Sequence, residues 1–289
     1  MKKITICLTR LFHFTVGLIS ALRFHRRLKT PQRFDIRVFV YHDVATDELL
    51  KMKKQIVEIA KTRRIITPDE FEKICSTRAE LSENLALLTF DDGFESNFMA
   101  AQQILNPMEI KAIFFVVLDF MKLTDEKSME MFIRNRINRD TSKRKCITSN
   151  RCMSLEQVTT LIDQGHEVGS HTFSHPVLSE ITNVKELNYE IVGSGEELER
   201  ILRKNIKHFA FTFGNIESIS ANALYIARRY QFVHTSLRGA NQIQESRVIY
   251  RETIHPWNTI QFVRGCSYGC LDWQYKKKRR ILDYYSMYN

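Results

Sequence analysis

Residues 85–97 read LALLTFDDGFESN, and the order of events in that stretch decides the architecture. Leu85 to Phe90 show no polar–apolar alternation, as in a strand buried on both faces. Two adjacent carboxylates, Asp91 and Asp92, follow at once, then Gly93, then a helical run over 94–105. A buried strand that hands over to a helix through a tight turn is half of a βαβ unit. Adjacent anions repel, so a carboxylate pair at the mouth of such a strand asks for a partner. A bound dication would offset the repulsion and leave one carboxylate free to take a proton.

Working outward, the same rhythm recurs. The spacing predicts strands over 36–42, 111–117, 166–171, 207–213, 231–236 and 246–254. It predicts helices over 47–62, 154–164, 184–204 and 218–230. Ser154 and Gln157 form a capping box, and Gly165 stands where a helix C-cap belongs. Residues 119–152 break the pattern and read as an insertion or lid, with Met121, Met129 and Met131 as lipid-facing or loosely held groups. Six or seven buried strands alternating with helices imply an α/β fold closed into a (β/α) barrel, with its chemistry on the loops after the strands' C-terminal ends.

Two further strand ends carry chemistry-bearing residues. SHTFSHP sets His171 and His175 four apart before Pro176, and FAFTFGN ends on Gly214, which permits a tight backbone turn. Two imidazoles and one carboxylate make a facial set for a divalent metal with open positions for water and substrate. Zn2+ is the first choice for these donors, and Co2+, Ni2+ or Fe2+ suit them too.

LTFDDGFESN followed by GHEVGSHTFSHP resembles the polysaccharide deacetylases of the NodB-homology type, carbohydrate esterase family 4. YHDV (41–44) is similar to the YHxV start of N-extended members from envelope polysaccharide clusters, FAFTFGN to their FAYPYG segment, and RGANQI…VIYRETIH to a later strand-and-arginine stretch. The similarity spans about residues 36–265. It implies a distorted (β/α) barrel and metal-dependent removal of an N-acetyl or N-formyl group from an amino sugar. Carried over by position, it implies Asp91 as general base and Asp92, His171 and His175 as metal ligands. It also implies the Phe213 N–H as oxyanion donor, with His255 as general acid and His234 as the reserve. His42 falls at the rim of the site. The third motif departs from the pattern: Ala210 and Thr212 stand where many members have arginine and proline. Arg251 is the candidate to orient the base instead, and Arg238 and Asn241 to line the substrate groove with it. Trp257 and Trp273 read either as buried aromatics or as sugar-stacking surfaces.

The net charge of +10 is concentrated at the ends. No acid precedes Asp35, and Lys276 to Arg280 are all basic, so both ends suit an anionic surface. Residues 11–22 (LFHFTVGLISAL) would span roughly 18 Å as a helix, short of the ~30 Å hydrocarbon core. A membrane-surface helix over 1–34 is preferred to a cleaved secretory signal. The expected organisation is that helix, a deacetylase domain over 35–270 and a basic tail over 271–289. Cys7, Cys75, Cys146, Cys152, Cys266 and Cys270 form no metal or disulfide framework and read as free thiols in a reducing compartment. The expected partners are an N-acetylated glycan of the bacterial envelope or its lipid-linked precursor, and a membrane surface. The expected setting is cytoplasmic or peripheral to the inner membrane, with secretion as the other route. No nucleic-acid recognition motif is present. A non-catalytic glycan-binding protein on the same fold is the competing class.

Overall fold

The computed structural model describes residues 34–138, 149–242 and 247–287. The expected N-terminal helix over 1–34 lies outside them except for its last residue, and Cys7 and Cys146 lie outside them too. The strands are β1 (Ile36–Tyr41), β2 (Arg64–Ile65), β3 (Leu85–Phe90), β4 (Ala112–Val116), β5 (Glu167–Ser170), β6 (His208–Ala210), β7 (Phe232–His234), β8 (Val248–Ile249) and β9 (Arg251–Thr253). They form a nine-stranded sheet ordered β8-β7-β6-β5-β4-β3-β1-β9, with β2 beside β3. Each neighbouring pair is parallel. β8 and β9 stand at opposite ends of that order yet are separated in the chain by Tyr250 alone. The segment 248–253 therefore pairs first with β7 and then with β1, and the sheet returns on itself as a barrel.

Side-chain alternation builds two cores. Val38, Leu85, Leu87, Ile113, Phe115 and Ala210 cluster inside the barrel with Phe71, while Phe39, Leu88, Phe90 and Phe114 join the helices outside. Phe71 comes from the helix Pro68–Thr77, which the sequence pattern did not reveal; Thr67 caps it and Pro68 opens it. Close packing in the interior is strict. A Cβ on Gly169 would lie 2.5 Å from the Phe115 ring. The inward parity of β3 runs Leu85, Leu87, Thr89 and then Asp91, so the first carboxylate of the pair is delivered to the barrel's interior rim.

The capping box of Ser154 and Gln157 is formed, and Gly165 closes the helix Leu155–Asp163 at φ 83°. The long helix after Val184 includes a wide turn over Tyr189–Gly193 and ends at Leu202. Two regions differ from expectation. The insertion carries helices Leu118–Met121 and Glu126–Phe132 and a wide turn Ile133–Ile137, around a core of Phe94, Phe120, Met129, Ile133 and Ile137. Met129 is thus a core residue, and only Met131 among the three methionines is exposed. Residues 272–287 are a helix packed on the body through buried Leu282, not a free tail. Among the described residues no helix is long and apolar enough to cross a membrane.

Candidate active site

Eight of the ten residues of the site follow a strand's C-terminal end. His42 comes after β1, Asp91 and Asp92 after β3, His171 and His175 after β5, Phe213 after β6, Ser236 after β7 and His255 after β9. Together with Ile137 and Asn138 of the insertion they line one pocket of about 170 Å³.

The turns that aim these groups are strained. Seven non-glycine residues among those described have positive φ, and four of them belong here: Asp92 (74°), Thr172 (70°), His175 (56°) and Phe213 (61°). A β-branched threonine in the left-handed region is unusual, and such strain persists only where the surroundings over-determine it. The surroundings do. Phe173 N–H, Ser174 N–H and Ser174 Oγ donate to the buried Glu190 carboxylate, and His175 N–H donates to Thr172 Oγ1. Asn97 donates to the Asp91 carbonyl, and Gly93 takes φ 77° where a Cβ would crowd Val116 Cα at 3.3 Å.

Asp92 Oδ1 lies 3.5 Å from His171 Nε2 and 3.3 Å from His175 Nε2, all three side chains being buried. His171 Nδ1 donates to the Ala210 carbonyl at 2.8 Å, and His175 Nδ1 to the Arg136 carbonyl at 3.1 Å. Those bonds fix the tautomers and leave both Nε2 lone pairs facing one carboxylate, the donor arrangement a divalent cation needs. The donor set fits such an ion. Burial works to raise the Asp92 carboxyl, yet the bonds to His171 and His175 hold it well below the usual range. His171 is shifted upward: burial opposes its charge, and Asp92 and Asp91 overcome that.

Asp91 is gripped by Arg251, with Nη1 on Oδ1 and Nη2 on Oδ2, each at 2.7 Å. Burial would raise this carboxyl, and the Arg251 charge keeps it lowered and ionised. Arg251 is itself held by the Thr235 carbonyl and Thr89 Oγ1 and lies over the Phe115 ring. Being wholly buried, Arg251 orients the Asp91 carboxylate from behind and is not among the residues that line the pocket. Thr212 Oγ1 donates to the Pro176 carbonyl, so a hydrogen bond ties the third motif to the metal-ligand loop where proline would have stiffened it.

His42 and His255 face the pocket with ring centroids 6.2 Å apart, and His42 Nε2 is 3.9 Å from Asp91 Oδ2. The His255 ring stacks on Trp257 at 4.2 Å and 8°. Trp257 and Trp273 are both substantially exposed, so neither is a core aromatic. His234 is fully buried and bonded to His208, which removes it from the pocket. Arg238 and Asn241 are not brought there either. Arg238 is taken up by Glu252 and the Thr253 carbonyl. Asn241 clips Ile36 to Tyr250 beside a separate cleft near the strands' N-terminal ends. Sequence reasoning missed Ser236, Ile137, Asn138, Glu190 and Gln55. Only Ser236, last in its predicted strand, carried a signal. Cys75, Cys152, Cys266 and Cys270 are free thiols.

Comparison with known proteins agrees with this geometry. Residues 78–234, more than half of the chain, match the family model described as polysaccharide deacetylase. The YxkH protein of Bacillus subtilis (strain 168) is 19% identical over 235 residues, covering 79% of this chain and 75% of that one. Among solved structures, IcaB from Ammonifex degensii superposes with a TM-score of 0.64 at 20% identity, over 82% of this chain and 98% of that one. The Streptococcus pyogenes deacetylase PplD, in complex with acetate, gives 0.61 at 18% identity, over 80% and 96%. With that match over more than half of its length, this chain belongs to the polysaccharide deacetylase family.

Proposed function

We propose that the protein is a metal-dependent N-deacetylase acting on an amino sugar of a bacterial envelope glycan or its lipid-linked precursor. The observation that carries this reading is the division of labour between neighbours. Asp92 shares the metal-ligand set with His171 and His175, while Asp91, clamped by Arg251, is held ionised beside them and points into the same pocket.

Asp92, His171 and His175 would hold the ion. When bound, it supplies Lewis acidity to the amide carbonyl and lowers the pKa of the attacking water. Asp91 is the base that accepts the water's proton on a carboxylate oxygen, and until that transfer Arg251 keeps the carboxylate anionic and in one orientation. The Phe213 N–H, carried on a left-handed turn at the pocket edge, is assigned to the developing oxyanion. His255, fixed against Trp257, is assigned to deliver a proton to the departing amine. Ile137 and Phe213 supply the apolar wall against which a small acyl group would lie. The acetate complex of PplD is in keeping with acetate as the released acid. The basic ends and the +10 charge favour work at an anionic membrane surface.

The absent third-motif arginine, which favoured a non-catalytic glycan binder, is made good in space by Arg251. Purified protein should contain about one equivalent of divalent metal and release amine from N-acetylated oligosaccharides, a dependence removed by chelation. Asp91→Asn should lower turnover by about 10²- to 10⁴-fold with the metal retained. Wild type and variant equally inert across a glycan panel would return the binder.

A further inference from the structure

The helix Asp272–Met287 is fastened to the body of the described residues along one side. Leu282 is buried there, Lys278 pairs with Glu217, Arg279 donates to the Arg238 carbonyl, and Tyr250 donates to Asp283. The opposite side has a composition of its own. At 3.6 residues per turn Trp273, Lys277, Arg280 and Tyr284 fall within about 60° of arc. Lys276 and Ile281 flank that strip. All six are exposed, Trp273 at 62% and Tyr284 at 58%. The two rings stand about 16 Å apart along the axis with the cations between them. Within that arc of about 60° the helix places no carboxylate; Asp283, beside Lys276 at its edge, is engaged by the Tyr250 hydroxyl.

Indole and phenol rings combine an apolar body with a polar edge and favour the membrane–water interface, where headgroup phosphates attract lysine and arginine. A straight, convex strip suits a flat surface and offers no cleft to a sugar chain. A single-stranded nucleic acid could stack on such rings but needs a basic groove to track its backbone, and this strip is convex. We propose that this face of the helix 272–287 docks the protein on an anionic phospholipid bilayer, with Trp273 and Tyr284 at headgroup depth and Lys276, Lys277 and Arg280 on the phosphates. This deepens the membrane placement given above by naming the surface that makes contact.

The test is co-sedimentation of the full chain with phosphatidylcholine vesicles, with and without phosphatidylglycerol. Binding is expected to the anionic vesicles alone and to be reversed by salt. The triple variant K276E/K277E/R280E should bind them at least about tenfold more weakly, with an unchanged melting curve and unchanged activity on a soluble N-acetylated oligosaccharide. Because the chain has two tryptophans, Trp257→Phe leaves Trp273 as the sole indole. Its emission should shift to the blue and be quenched by brominated lipid when anionic vesicles are added. Vesicle binding that leaves Trp273 emission unmoved, or that survives the triple substitution, would overturn the proposal. So would DNA binding tighter than vesicle binding and lost in the same variant. Vesicle binding is read without turnover, so its failure leaves the deacetylase reading standing, and an inactive enzyme leaves this one.

Discussion

Both arms of the Arg251 guanidinium meet both oxygens of Asp91 at 2.7 Å, with Arg251 wholly buried and Asp91 open only to the pocket. A planar fork on a carboxylate sets its orientation as well as its charge, which a lysine ammonium cannot do. Arg251→Lys should therefore keep the fold and the metal but misalign the base. The expected result is a loss of about a hundredfold in kcat with little change in KM. Arg251→Ala leaves a buried carboxylate unpaired and should cost about 3–5 kcal/mol of stability. Steady-state kinetics with metal analysis tests the first, and urea unfolding the second.

Glu190 shapes the metal-ligand loop from behind. Its two oxygens take three donors from Phe173 and Ser174, next to residues held at φ 70° and 56°. Without it the loop can relax and the His175 ring drifts from Asp92. Glu190→Ala should weaken metal affinity by about 10- to 100-fold, and excess metal should restore most of the turnover because Asp91 and Arg251 are untouched. Chelator competition reads the affinity. Wild-type affinity with lost activity would contradict the role.

Gln55 does for His255 what Glu190 does for His175. Its buried amide donates to the carbonyls of His255, Pro256 and Asn258, and its oxygen accepts from Tyr41 Oη. Gln55→Leu strands these groups. A loss of about 2–4 kcal/mol in unfolding free energy is expected, together with a lower kcat, because the loop carrying the His255–Trp257 stack loosens. Gln55→Glu, which keeps an acceptor for Tyr41 but not the amide donors, should recover only part of either.

The candidate metal set was legible because its parts are local. Asp92 follows a continuous apolar run, His171 and His175 follow a short strand after a capped helix and its glycine stop, and the strained turns use residues that mark themselves, Asp-Gly and His-Pro. Arg251 was harder to read. It reaches Asp91 only because the segment 248–253 changes partner at Tyr250 and closes the ring, a property of the whole sheet. Arg238 and Asn241 misled for the same reason. They lie just beyond β7, yet the chain turns back toward Ile36 instead of staying at the rim. The run Lys276–Arg280 hid a helix because few apolar residues anchor it, Leu282 chief among them. Glu190 and Gln55 resemble any polar helix residue until the loops they hold are in place.

His166 allows the fold to be tested apart from catalysis. Its Nδ1 accepts from the Ala112 N–H at 3.1 Å, so the proton sits on Nε2, which donates to Asn106 Oδ1 at 3.0 Å. Burial, aided by the nearby Lys111 charge, lowers its pKa from 6.5 to about 4. The unfolded chain therefore takes up a proton at a higher pH than the native state does. The stabilising contribution is complete above 6.5 and is lost as pH falls from there through 4. His234, buried and depressed well below its ordinary value, adds to the loss in the same direction. In His166→Gln the amide can still accept from Ala112 and donate to Asn106 but cannot titrate. Its unfolding free energy between pH 6.5 and 4 should fall less steeply than the wild type's, by up to about 1.4 kcal/mol per pH unit. Urea titrations across that range measure both slopes. Equal slopes would mean that the imidazole is already protonated in the native protein, and that the Ala112 bond is not formed as described.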